Sequence, residues 1–106
     1  MTTKRQDINI NVHYTAPQEV WDKVEQVYKS MPQWVGFINN IPYWYGTKEN
    51  EPHIWASVEP SGIQIAGHIP QEEWETWIAL LKERLTKALG YPIGEPGDGF
   101  EFQYYE

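Results

Sequence analysis

Residues Asp7 to Tyr14 alternate apolar Ile8, Ile10, Val12 and Tyr14 with polar Asn9, Asn11 and His13. A period of two sends successive side chains to opposite faces, so this run predicts a half-buried strand with the asparagines and His13 on its polar side. Thr15 follows, with Gln18 three residues on in the spacing of a capping box and Pro17 tolerable in a first turn. Val20, Val24, Val27, Tyr28 and Met31 then recur at helical spacing, with Trp21 beside the stripe, until Pro32 stops the helix.

The stretch Gln33 to Tyr45 is apolar and aromatic but interrupted by Gly36 and Pro42. It predicts one strand near Ile41–Tyr45, reached through an irregular connection. After a polar loop from Gly46 to Pro52, two short runs, His53–Val58 and Ile63–Ile69, flank Glu59-Pro60-Ser61-Gly62 and predict a hairpin. A two-residue loop would set Val58 opposite Ile63 and His53 opposite His68. Proline cannot take the positive φ that such loops ask of their first central residue. The expected form is therefore a type I turn with Gly62 as a bulge, which sets His53 opposite Ile69.

Pro70 opens a second helix, with Glu72, Glu73 and Glu75 near its positive end and Trp74, Trp77, Ile78, Leu81, Leu85, Ala88 and Leu89 as its apolar stripe. Gly90 is its expected C-cap, and Pro92 prevents continuation. After a Gly-rich turn over 94–99, Phe100, Phe102 and Tyr104 alternate with Glu101, Gln103 and Tyr105 and predict a last strand. The predicted order is β-α-β-β-β-α-β. It implies a single α+β domain over residues 1–106, a two-layer sandwich of a mostly antiparallel sheet with both helices on one face.

Composition narrows the chemistry. The chain has 106 residues, no cysteine, six Trp, seven Tyr and a formal net charge of -7. Without cysteine there is no disulfide framework, no thiolate metal site and no thiol nucleophile. An acidic balance argues against nucleic acid and anionic membrane as partners. The N-terminal alternation is no signal-peptide core, and the longest aliphatic run, Ile78–Leu81, is too short to span a membrane, so a cytoplasmic protein is expected.

Motifs for nucleophilic catalysis, phosphate loops and zinc hydrolysis are absent. The Gly-rich turn precedes a strand rather than a helix, so turn geometry explains it better than phosphate binding. His13, His53 and His68 are the only histidines. His53 and His68 could share a metal or titrate together in the unbulged register, but no carboxylate motif completes a ligand set. Sheet-surface histidines are the simpler reading, and no metal or cofactor is implied. A glycosidase-like carboxylate pair could be drawn from the loops, but a sugar cleft is hard to build in so short a chain.

Charge is unevenly spread. Residues 1–48 carry net +1, residues 49–106 net -8, and no Lys or Arg stands between Lys48 and Lys82. Such a field would steer a basic partner. Tyr43, Trp44 and Tyr45 cannot all face inward on one strand, and Tyr or Trp beside carboxylates is the usual composition of a binding hot spot.

The stretch Leu89-Gly90-Tyr91-Pro92-Ile93-Gly94-Glu95-Pro96-Gly97-Asp98-Gly99-Phe100-Glu101-Phe102, with Val58-Glu59-Pro60-Ser61-Gly62-Ile63, resembles segments of small acidic immunity proteins encoded beside bacterial polymorphic or contact-dependent toxins. That resemblance implies a non-enzymatic inhibitor that binds a cognate toxin domain in the producing cell's cytosol. Many such toxin domains are nucleases with basic grooves. Glu49, Glu51, Glu95, Asp98 and Glu101 would then stand where phosphates stand, with Tyr43, Trp44 or Tyr45 as anchor. Two other readings remain open: a carbohydrate- or ligand-binding module using exposed aromatics, and a small enzyme of unassigned reaction.

Overall fold

A computed structural model describes residues 2–104. Its elements are β1 (Lys4–Ile10), α1 (Gln18–Ser30), β2 (Trp34–Ile38), β3 (Ile41–Trp44), β4 (His53–Glu59), β5 (Gly62–Ile69), α2 (Gln71–Leu89) and a single 3-10 turn, Pro96–Asp98. The five strands form one antiparallel sheet in the order β1-β5-β4-β3-β2. The expected α+β class, with two helices and an antiparallel sheet, is what the chain adopts.

Strand periodicity explains which face is covered. Ile8 and Ile10 pair with Ile65 and Ile63, and these in turn face Ala56 and Val58 on β4. The buried members of this row, Ile10, Ile63, Ile65 and Ala56, meet the stripes Val20, Val24, Val27 and Tyr28 of α1 and Trp74, Trp77, Ile78, Leu81 and Leu85 of α2. Val58, near the hairpin turn, stays exposed. Each fully buried Ile or Leu in this layer contributes roughly 1.5–3 kcal/mol of transfer free energy. α1 lies toward the β2 side and α2 toward β1. At the centre Trp44 packs edge-on against Tyr28 and Trp77 at ring separations of 5.0 and 4.9 Å. Its indole N–H donates to the Tyr28 carbonyl at 3.0 Å, so the ring is buried without an unmet donor.

Several local expectations change. The capping box does not form: the Thr15 hydroxyl bonds His13 Nδ1 at 2.6 Å, and Pro17 occupies the N-cap with no side-chain cap. The supposed irregular connection before Ile41 is a strand, β2, joined to β3 by Asn39-Asn40. Both asparagines take positive φ, +52° and +67°, as the central residues of a type I′ loop do.

The β4–β5 hairpin adopts the unbulged register, with His53 opposite His68, Val58 opposite Ile63 and Glu59 opposite Gly62. Proline's restriction is respected because the positive φ falls on Gly62, at +120°, rather than on Pro60. Apolar pairing across the hairpin is thereby kept.

Residues 100–104 do not join the sheet. The segment is instead tied to Asn11, which the alternation placed on a polar face but which is fully buried. Asn11 Nδ2 donates to the carbonyls of Pro92 (2.9 Å) and Glu101 (2.7 Å), and its Oδ1 accepts from the Gly94 N–H at 2.8 Å. One side chain therefore supplies the bonds that a strand ladder would have supplied. Tyr105, included in the expected strand, lies outside the described residues.

Candidate partner-binding site

The anchors and carboxylates expected from the sequence separate into three groups. Trp44 is 0% exposed and belongs to the core, so it presents nothing to a partner. Tyr43 points to the opposite face, as alternation requires, but is also buried, opposite Trp55. Tyr45, just beyond the end of β3, is the half-exposed member of the three.

Glu49 and Glu51 sit on the loop between β3 and β4. Glu51 bonds the Thr3 hydroxyl at 3.1 Å and lies 3.4 Å from His68 Nδ1. This is the end of the sheet where β1 begins and β5 finishes. Glu95, Asp98 and Glu101 lie at the other end, where Asn11 holds the Glu101 carbonyl and the Phe102 ring lies against Gly62. The β1–β5 ladder, from the Lys4–Ile69 pair to the Ile10–Ile63 pair, stands between them. At about 3.3 Å per residue the two acidic groups are about 20 Å apart. They do not form one surface, because strand length separates what the chain's charge profile groups together.

The end that carries Tyr45, Glu49 and Glu51 gains other acids. β5 runs through Pro70 directly into α2, which brings Glu72 and Glu73 to this end. The Gln6 amide bonds Gln71 at 2.8 Å and fastens the start of α2 to β1. Pro32, Tyr45, Glu72, Glu73, Thr76, Trp77 and Leu80 line an open cavity of about 450 Å³, whose lining contains two carboxylates and no base.

Tyr45 is held there at φ +70°, its N–H donating to the Gln33 carbonyl at 2.8 Å. A bulky aromatic in the left-handed region costs on the order of 1–3 kcal/mol. Partial burial first, and the Glu73 carboxylate second, push its phenol pKa above the ordinary 10.0. Both favour the neutral, hydrogen-bonding hydroxyl. Glu72 and Glu73 were assigned by the sequence only to the helix dipole. The signal that could have found them is the directness of the β5–α2 junction, where Pro70 alone separates sheet from helix.

The register also makes neighbours of His53 and His68, whose ring centroids are 5.7 Å apart. His53 is buried, and its Nδ1–H donates to the Asn50 carbonyl at 2.8 Å, which fixes its tautomer and leaves Nδ1 no lone pair for a metal. Among the described residues no group of three or more His, Asp or Glu side chains is arranged to hold a metal ion. No helix among them is long and apolar enough to cross a membrane.

The fold and this end of the sheet define a small α+β protein with an acidic, aromatic concavity. No family model, curated protein or solved structure matches the chain.

Proposed function

We propose that this protein is a non-enzymatic inhibitor of the immunity type, which binds and neutralises a cognate bacterial toxin domain in the cytoplasm. The observation that carries the proposal is the constellation at one sheet end: a strained, half-exposed Tyr45 over a cavity rimmed by Glu72 and Glu73. Glu49 and Glu51 stand on the adjoining loop. Tyrosine supplies a large contact area at low side-chain entropy cost, and unneutralised carboxylates around it attract a basic surface. A nuclease toxin fits because its substrate groove must be basic to hold phosphates. Among the described residues Asp7 is the one carboxylate paired with a Lys or Arg, its partner being Arg5, and Glu51 lies against His68, so most of the acidic charge is available to a partner.

The test is association with a toxin domain encoded by a gene adjacent to this one, followed by stopped-flow fluorescence over a range of salt concentrations. An adjacent region that encodes none counts against the proposal. Between about 0.05 and 0.5 M salt the association rate should fall roughly tenfold or more, because the Debye length contracts below the width of the acidic end. Glu72→Gln with Glu73→Gln should lower the rate, and Tyr45→Ala should raise the dissociation rate. Asp98→Asn with Glu101→Gln should change neither. A rate indifferent to salt removes the steering argument, and absence of binding removes the function.

A further inference from the structure

We infer that a second copy of this chain docks on the β2 edge, giving a two-fold dimer whose sheet continues from one copy into the other. The sheet has two edges, β1 and β2, and they are built differently. β1 carries Lys4, Arg5 and Asp7, the charges that normally keep an edge strand from pairing with another chain. β2 carries none. The whole stretch from Gln33 to Thr47 is uncharged in a chain of net charge -7. Val35, Phe37 and Ile38 are exposed along it, at 46%, 40% and 40%.

The backbone groups of β2 that point away from β3 have no strand beside them, since β2 ends the sheet. An identical strand, running antiparallel, satisfies them symmetrically. That contact is isologous and closes on itself, so it ends at a dimer rather than a fibre. Two chains of charge -7 repel, and an uncharged edge is where they can meet at least cost.

The neighbouring helix supplies the charge complementarity. α1 packs over β2, and its Lys29 ammonium lies 6.0 Å from the centre of the Phe37 ring. Glu25, one turn earlier, lines an apolar groove of about 270 Å³ together with Phe37, Pro42 and Val58. A two-fold axis perpendicular to the sheet brings two α1 helices side by side and antiparallel in the same layer. Each Lys29 then faces a Glu25 across the axis, and each Glu25 a Lys29. A residue pair of opposite sign one turn apart is self-complementary under this symmetry and under no parallel arrangement.

Sedimentation equilibrium of the whole chain tests the inference. At tens of micromolar the mass should be twice the 12.5 kDa of one chain. Val35→Lys, which places a charge on the edge, should leave a monomer with unchanged circular dichroism. Lys29→Glu should weaken self-association roughly tenfold through like charges across the axis. Adding Glu25→Lys to it should restore the dimer, which a folding defect would not do. A wild type that stays at 12.5 kDa up to millimolar concentration overturns the inference. So does a dimer indifferent to both Val35→Lys and Lys29→Glu. The outcome is distinguishable from that of toxin binding, since Glu72 and Glu73 lie on α2 and are not part of this edge.

Discussion

Replacing Asn11 with alanine should destabilise the protein by about 3 kcal/mol, more than a polar residue on a strand normally contributes. Its amide makes three hydrogen bonds, at 2.9, 2.7 and 2.8 Å, to Pro92, Glu101 and Gly94. Each contributes about 1 kcal/mol net when the partners left behind can find water. Two contacts survive the substitution because they use the Asn11 backbone: its N–H to the Gly94 carbonyl and its carbonyl to the Tyr91 hydroxyl, both 3.1 Å. Residues 91–94 therefore stay tethered, and release is concentrated toward Glu101.

Urea unfolding gives the free energy, and thermal unfolding should show a midpoint lower by roughly 12–20 °C for a domain of this size. Native-state hydrogen exchange at the Gly94 amide should accelerate beyond the global loss of stability. Asn11→Asp should be worse, because it sets a carboxylate against two carbonyl oxygens. A loss under about 0.5 kcal/mol, or unchanged exchange at Gly94, would refute the reading that this side chain replaces a strand ladder. The partner binding proposed above should persist in Asn11→Ala under folding conditions, since the altered segment lies at the other sheet end.

Burial raises the Tyr28 phenol far above its ordinary pKa of 10.0, with Glu25 adding to the shift. The folded state then holds its proton while the unfolded state loses it, so stability is intact below about pH 10 and falls as pH rises beyond it. Tyr28→Phe should flatten that fall in urea midpoints measured across alkaline pH, and an identical fall in both proteins would disprove the assignment. Gly67→Ala should cost roughly 2–4 kcal/mol in urea unfolding, because a Cβ there would overlap the His53 carbonyl and lie 2.9 Å from Ile54 Cα. Gly97→Ala, where a Cβ meets nothing within 4 Å, should stay within about 0.5 kcal/mol; equal effects at the two positions would count against the packing argument.

Much of the architecture is local in origin and legible in the sequence. Apolar residues at Val20, Val24, Val27 and Tyr28, and at Trp74, Trp77, Ile78, Leu81 and Leu85, mark the inner faces of two helices by spacing alone. Pro32 and Pro70 mark where a helix stops and starts. The alternation in β1 and the apolar runs of β4 and β5 mark strands, and α+β class follows from their order. The pair Asn39-Asn40 was a readable turn signal for β2, masked by the aromatic residues around it.

What tertiary structure alone decided concerns partners far apart in sequence. Alternation placed Asn11 on a polar face, and only the return of residues 91–101 makes that face an interior. Register in the β4–β5 hairpin depended on which residue could accept positive φ, and Gly62 accepted it beside Ile10. Trp44 and Tyr45 are adjacent in the chain, yet one fills the core and the other overhangs a cavity, because β3 ends between them. The acidic excess of residues 49–106 is a property of sequence, but its division between two sheet ends is not. Strand length holds Glu51 and Glu101 apart, and the β5–α2 junction brings Glu72 and Glu73 to Tyr45. Periodicity specifies which side of an element is buried; only the packing of elements specifies which charges share a surface.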